Sequence, residues 1–219
     1  MFPSDIEPDD FELQAVMQAL GAVQGRSILD LGCAKGRFVQ ALSMRGARMV
    51  GVDPAWSLLR AAAAHGSPLV QSSATSLPFA SEVFDALVCV EVVEHIPDID
   101  RAVAEMSRVL RPGGRAILID KNPLGFGYHR FYPNWLYKRF LDREGKGSYP
   151  KGFPFREQWH SARSLRRRLQ GHFSRVTVRY LDGRVRGKRR RLLAPLFRLV
   201  PPARPDLAWI AEKQGPGRG

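Results

Sequence analysis

Apolar positions along this chain recur with a period near 3.6 in some stretches and form short, nearly continuous runs in others, and the two patterns take turns. From Asp9 to Leu20, Phe11, Val16 and Leu20 recur at helical spacing behind a first turn rich in acids, which predicts a helix. Ser27 to Leu31 predicts a strand, and a helix follows its glycine-bearing turn to about Arg45. Arg48 to Val52 predicts a second strand, and Pro54 to His65 an alanine-rich helix with proline at its start. Pro68 to Ser72 reads as a third strand. Asp85 to Val90 reads as a fourth, nearly all apolar, as a strand buried on both faces should be. Ile99 to Leu110 places Ala102, Val103, Met106, Val109 and Leu110 on one side of a helix. Pro112-Gly113-Gly114 is expected to stop that helix and turn into a fifth strand, Arg115 to Asp120. A helix over Ser161 to Gln170, a strand over Arg175 to Leu181 and a last strand over Leu207 to Glu212 complete the pattern. Such alternation with short links predicts an α/β protein with a doubly wound, mostly parallel sheet and ligands at its carboxyl edge.

The rhythm breaks twice. Lys121 to Trp159 holds 11 of the chain's 21 Phe, Trp and Tyr residues, interleaved with Lys121, Arg130, Lys138, Arg139 and Arg143. Arg184 to Pro205 sets a cluster of bases before an apolar stretch, Leu192 to Val200, broken by Pro195. No internal repeat or low-complexity linker is visible, and only Gly215 to Gly219 reads as a frayed tail.

Composition bounds the reading. At 219 residues and 44% hydrophobic content, one domain, 1–219, can bury a core of ordinary size. Within it, 1–25 is a helical lead-in, 26–120 a ligand-binding core, 121–160 an aromatic insertion, and 161–213 a C-terminal part containing the basic insertion 184–205. Cys33 and Cys89 lie on or beside predicted strands, so reduced thiols in a cytoplasmic protein are expected. The start is acidic without an apolar leader core, and no run approaches the roughly 20 apolar residues of a membrane span. Charge is uneven. Residues 1–120 hold 10 Lys and Arg against 15 Asp and Glu, a balance of −5; residues 121–219 hold 24 against 6, a balance of +18. The basic half favours an anionic partner: an acidic substrate, a membrane surface or nucleic acid.

The densest chemistry lies in S-I-L-D-L-G-C-A-K-G-R-F, Ser27 to Phe38. Asp30, Gly32 and Gly36 are spaced D-x-G-x-x-x-G between a strand and a helix, where glycines allow close backbone approach and the helix start offers free N–H groups. Asp53 ends the next strand in G-V-D-P. A dinucleotide turn would carry a middle glycine where Ala34 stands, and a phosphate loop would need G-K-[ST]. An acid aimed at the turn suits an ammonium better than a diphosphate. The plainer alternative is a tight turn with Asp30 capping the helix.

With these motifs, the stretch A-T-S-L-P-F-A-S-E-V-F-D-A-L-V-C-V-E-V-V-E-H-I-P-D and R-V-L-R-P-G-G-R-A-I-L-I, the chain resembles class I S-adenosylmethionine-dependent methyltransferases, and most closely their small-molecule, quinone-biosynthesis branch. The resemblance is dense over Arg26 to Asp120. It implies a Rossmann-like, seven-stranded sheet with an antiparallel last strand. It also implies S-adenosylmethionine as cofactor, held by Asp30, Gly32, Cys33, Ala34, Gly36, Asp53, Pro54, Ser73, Ala74, Val90 and Glu91. Asp53 would accept both ribose hydroxyls, and its plainer role is a helix cap before Pro54. Ser73 stands where relatives often carry an Asp for the adenine amino group, a departure from the pattern.

Glu91 to His95, E-V-V-E-H, follows the fourth strand, and three readings stand side by side. Glu91, Glu94 and His95 could hold a divalent cation such as Mg, as the similar stretch does in quinone O-methyltransferases. His95 could act alone as general base. Or Glu94 and His95 could orient the loop before Pro97. The aromatic segment is expected to cap a small-molecule acceptor, with His129 and Tyr128 its polar candidates; His160 and His172 are expected at the surface or as caps. Arg184 to Pro205 could lie on an anionic membrane surface or pack on the sheet edge. The expected activity is methyl transfer to a small, hydrophobic, anionic acceptor, oxygen slightly favoured. A nucleic-acid methyltransferase and a non-catalytic cofactor-binding scaffold are the alternatives.

Overall fold

The computed structural model describes residues 6, 10–63, 66–126, 133–144, 157–182, 202 and 204–215. Helix α1 (Phe11–Leu20) starts where Asp10 accepts the Glu12 and Leu13 backbone N–H groups at 2.9 and 3.2 Å, so Asp10 is the cap. There follow β1 (Ser27–Leu31), α2 (Arg37–Ser43), β2 (Arg48–Asp53), α3 (Trp56–Ala62), β3 (Leu69–Gln71) and β4 (Phe84–Val90). A short 3-10 turn over Val93–His95 leads to α4 (Ile99–Val109), β5 (Leu110–Lys121) and α5 (Asn134–Glu144). The described chain ends with α6 (Ala162–Gln170), β6 (Arg175–Leu181) and β7 (Asp206–Glu212).

The strands form one seven-stranded sheet in the order β3-β2-β1-β4-β5-β7-β6. Strands β1 to β5 pair in parallel, and β7 inserts antiparallel between β5 and β6. The expected architecture is therefore present, antiparallel last strand included. Strand order reverses between β1 and β4, and that reversal opens a crevice beyond their carboxyl ends.

Alternate strand residues face two cores. Leu29, Leu87, Cys89, Leu118 and Trp209 pack with α4 and α6, while Ile28, Val88, Ile117 and Ile210 pack with α1 and α2. Strand β4 is buried on both faces, as its unbroken apolar run predicts.

Two segments depart from the sequence reading. Pro112-Gly113-Gly114 does not separate helix from strand. Helix α4 ends at Val109 because Leu110 is already extended, and β5 runs from Leu110 through the glycines. The extra residues appear as an irregularity: Phe84 pairs with Leu110, but Ala86 pairs with Arg115. Within the aromatic insertion, α5 is a helix that the pattern did not mark. It is tied down by polar side chains: buried Asn134 donates to the Asn122 carbonyl at 2.9 Å, and Asn122 donates to the Pro202 and Arg204 carbonyls at 2.9 and 2.8 Å. Helix α3 is shorter than expected, and His65 lies outside the described residues.

Candidate active site

The turn after β1 is built against the end of β2. Gly32 and Cys33 donate their N–H groups to the Val52 carbonyl at 2.7 and 3.0 Å, and Gly36 donates to Cys33 at 2.7 Å. Gly32 and Gly36 adopt φ of +76° and +80°. At Gly32 a Cβ would lie 2.3 Å from Val92 Cγ2, so the turn needs glycine there for space as well as conformation. Ala34 and Glu91, at φ +47° and +56°, hold the same left-handed conformation without being glycine, and both face the crevice. Strain of this kind in non-glycine residues concentrates at functional sites.

Asp53 ties the two turns together. One carboxylate oxygen accepts from Ala34 N–H at 3.0 Å and the other from Ala55 N–H at 2.8 Å. Each keeps a lone pair for a further donor, which suits a vicinal diol. The expected cap role is partial: α3 begins at Trp56 with Ala55 as its cap residue, and Asp53 braces the turn just before it. Ser72 N–H donates to the Asp53 carbonyl at 3.3 Å, which brings the Ser73–Ala74 loop to the same edge. The Ser73 hydroxyl is engaged locally, with Thr75 Oγ1 at 2.9 Å and Thr75 N–H at 3.2 Å.

The crevice is lined by Asp30, Gly32, Cys33, Ala34, Val90 and Glu91 of the sequence-marked residues, together with Lys35, Arg37 and Phe38. Gly36, Asp53, Pro54, Ser73 and Ala74 adjoin it along the sheet edge without lining it. Asp30 Oδ2 is buried with no hydrogen-bond partner. Burial, reinforced by Asp53, raises the Asp30 carboxyl to about 7, against the lowering pull of Arg37 and of a hydrogen bond from the Val39 backbone. Asp30 thus also meets the third residue of α2, while Gly36 holds the cap position of that helix. Burial pushes the Cys33 thiol up, and both it and Cys89 are free and buried.

Beyond β4, Glu94 is buried and pairs with Lys121, whose ammonium also lies 3.5 Å from Glu91 Oε1; His95 Nε2 lies 3.3 Å from Glu94 Oε1. Burial raises the Glu94 carboxyl, but His95 and Lys121 outweigh it and hold it below its ordinary value. Asp120 is buried beneath, accepting from Glu94 N–H at 3.1 Å and Lys121 N–H at 2.7 Å. Burial and then Glu94 push its carboxyl well up. Among the described residues, the compact trio with metal-ligand atoms is Glu94, His95 and Glu157, all within 4.8 Å of one another. Glu91 faces Lys121 and the crevice instead. Glu157 also meets Lys138 at 3.5 Å. His160 is half-buried, not at the surface, and burial followed by Arg168 lowers its pKa. His129, Tyr128 and most of 184–205 lie outside the described residues.

Arg37 is not singled out by the sequence, and Lys121 is marked there only as one of the bases of the aromatic segment. Arg37 sits at the first position of the helix whose N-terminus faces the crevice, and that was its signal. Lys121 follows the strand-terminal acid Asp120 directly, opposite E-V-V-E-H.

Fold and crevice together follow the plan of doubly wound sheets, with a concave site beyond the carboxyl ends of β1 and β4. Residues 29–118 match the family described as "Methyltransferase domain". The matched stretch runs from β1 to β5 and holds most of the residues that line the crevice. It is 34% identical over 131 residues to a ubiquinone biosynthesis O-methyltransferase of Alkalilimnicola ehrlichii, covering 56% of this chain and 52% of that one. It is 30% identical over 152 residues to a demethylmenaquinone methyltransferase of Thermobifida fusca, covering 62% and 64%. The chain thus spans between about half and just under two thirds of the length of these curated relatives. In fold it is similar to an S-adenosylmethionine-dependent methyltransferase of Mesorhizobium loti, with a TM-score of 0.69 at 18% identity over 94% of this chain and 99% of that one.

Proposed function

We propose that the chain binds S-adenosylmethionine in the β1–β4 crevice and transfers its methyl group to a small, hydrophobic, anionic acceptor, with an oxygen nucleophile favoured. The observation that carries this reading is the buried Asp30 oxygen without a partner, beside the doubly braced Asp53. One carboxylate suits an ammonium and the other a ribose diol, the two polar handles of this cofactor. When bound, the sulfonium supplies an electrophilic methyl carbon, so the protein's work is positioning and proton removal. Glu91 and Val90, at the end of β4, flank the crevice where an acceptor would approach. We read His95, about a third exposed and held by Glu94, as the group that takes a hydroxyl proton, although it does not itself line the crevice.

Lys121 already supplies a cation between Glu91 and Glu94, which favours the loop-orienting role for Glu94 over a divalent site. Should a divalent cation act through Glu91, Glu94 and His95, exhaustive chelation would abolish turnover; we expect turnover to survive. The homology to enzymes named for ubiquinone and demethylmenaquinone methylation makes phenols and quinols the first acceptors to test, by a mass shift of 14 Da per methyl group. Transfer to bulk RNA instead would favour the nucleic-acid alternative, and tight cofactor binding without any acceptor would favour the scaffold.

Peripheral contact with an anionic membrane is the second part of the proposal. Helix α5 exposes Trp135 and Phe140 with Arg139 and Arg143, near exposed Leu124, and buries only Asn134. Aromatic and aliphatic side chains beside arginines suit the headgroup boundary. No helix among the described residues is long and apolar enough to cross a membrane. Flotation with vesicles containing phosphatidylserine, but not with neutral ones, is the expected result.

A further inference from the structure

We propose that Arg37 recognises the α-carboxylate of the bound donor, and that the Glu12 carboxylate holds that place in the ligand-free chain. The proposal rests on the reading that the crevice binds S-adenosylmethionine. Arg37 opens α2 and lines the crevice beside Asp30. Its Nη2 lies 2.6 Å from Glu12 Oε2, and the two side chains are only 15% and 7% exposed. The guanidinium stacks 4.7 Å from the centroid of the Phe38 ring, which fixes the direction in which its fork points. An α-amino acid end presents one cation and one anion. Asp30 answers the first, and the half-buried Arg37 guanidinium on the same crevice wall answers the second.

Glu12 is a strained occupant of that position. It comes from α1, outside the motif that builds the turn, and it projects an acid from a helix face otherwise made of Leu13, Val16, Ala19 and Leu20. Burial raises its carboxyl to about 6 even though Arg37 pulls it down, and Glu91 and Asp10 add repulsion. A donor carboxylate offers Arg37 the same chemical group, so binding exchanges one carboxylate for another and leaves Glu12, without Arg37, to turn toward solvent or take up a proton. The alternative is a plain staple holding α1 to α2, which would be indifferent to the ligand's charge.

The test compares two ligands by calorimetry at pH 7.5: S-adenosylmethionine and its decarboxylated form, which differ only in the carboxylate. Their affinity ratio within one variant does not depend on how stable that variant is. The unaltered chain should favour the carboxylate form by at least tenfold. Arg37→Met should bring the ratio close to one, while Glu12→Gln should tighten S-adenosylmethionine several-fold and leave the decarboxylated form unchanged. Lys35→Met, at the other cation lining the crevice, should keep the ratio. An unchanged ratio in Arg37→Met, or a collapse in Lys35→Met alone, overturns the proposal while leaving the cofactor reading intact. Should Arg37→Met not fold, Arg37→Gln and Glu12→Gln decide by the same ratio. Absence of binding by the unaltered chain overturns both.

Discussion

Replacing Asp30 by Asn keeps the shape of the side chain and removes its charge, and the consequence can be worked from its surroundings. In the ligand-free chain the carboxyl titrates near 7 because it is buried and faces Asp53. A bound ammonium at Oδ2 favours the ionised form and draws the pKa back toward 3.8. The full return of about 3 units corresponds to about 4 kcal/mol as an upper bound. Below pH 7 each unit of acidity then costs about tenfold in affinity for S-adenosylmethionine, because Asp30 must lose a proton to bind. Affinity levels off above 7 and falls again above about 8, where the ligand's own amino group deprotonates. Glu12, titrating near 6, opposes this trend by no more than about twofold at pH 6. Calorimetry in two buffers of different ionisation enthalpy reads the proton directly: about half a proton released per ligand at pH 7 and nearly one at pH 6. Asp30→Asn should release none and should bind about 10- to 100-fold more weakly at pH 7.5, the worth of a charge-assisted hydrogen bond. A flat affinity from pH 6 to 7 without proton release in the unaltered chain refutes the reasoning.

Other outcomes follow from the same geometry. The raised Asp30 pKa penalises the ligand-free fold once the carboxyl ionises, fully above 7 and not at all below about 4, so Asp30→Asn should raise the melting temperature at pH 8 and leave it unchanged at pH 4. Lys121→Met strands Glu94 in a buried position and should cost about 3–5 kcal/mol in denaturant unfolding, whereas Lys121→Met with Glu94→Gln should cost clearly less than the sum of the two single changes. Equal additive costs would show that the pair is not coupled. Gly32→Ala forces a Cβ into Val92 at a left-handed position, and should cost more than about 1 kcal/mol while weakening cofactor binding.

Much of this fold was legible because burial writes itself into the apolar pattern. Asp85 to Val90 could only be a strand covered on both sides, and Asp30 and Asp53 marked the carboxyl ends of two neighbouring strands, the first of them beside the reversal of strand order. What escaped the pattern is polar. Helix α5 is held by Asn134 and Asn122, whose hydrogen bonds reach Pro205, Pro202 and Arg204 at separations of 71, 80 and 82 residues, and no local periodicity records such contacts. The Pro-Gly-Gly stretch was read as a stop because local propensity favours a turn, but pairing with β4 carried the strand across it. At the site, the motif positions were visible and the charge pairing was not. Glu12 meets Arg37 across 25 residues, and Glu94 meets Lys121 across 27, so neither partner could be assigned from spacing alone.

The central claim is that the crevice at Asp30 and Asp53 binds S-adenosylmethionine. Titration of the ligand into the unaltered chain and into Asp53→Ala by calorimetry tests it most directly. Asp53→Ala removes the proposed acceptor of both ribose hydroxyls and, with it, the brace on Ala34 and Ala55. The account predicts one saturable site in the unaltered chain and at least a hundredfold loss in a folded Asp53→Ala. No heat in the unaltered chain, or equal affinity in the two proteins, would contradict it.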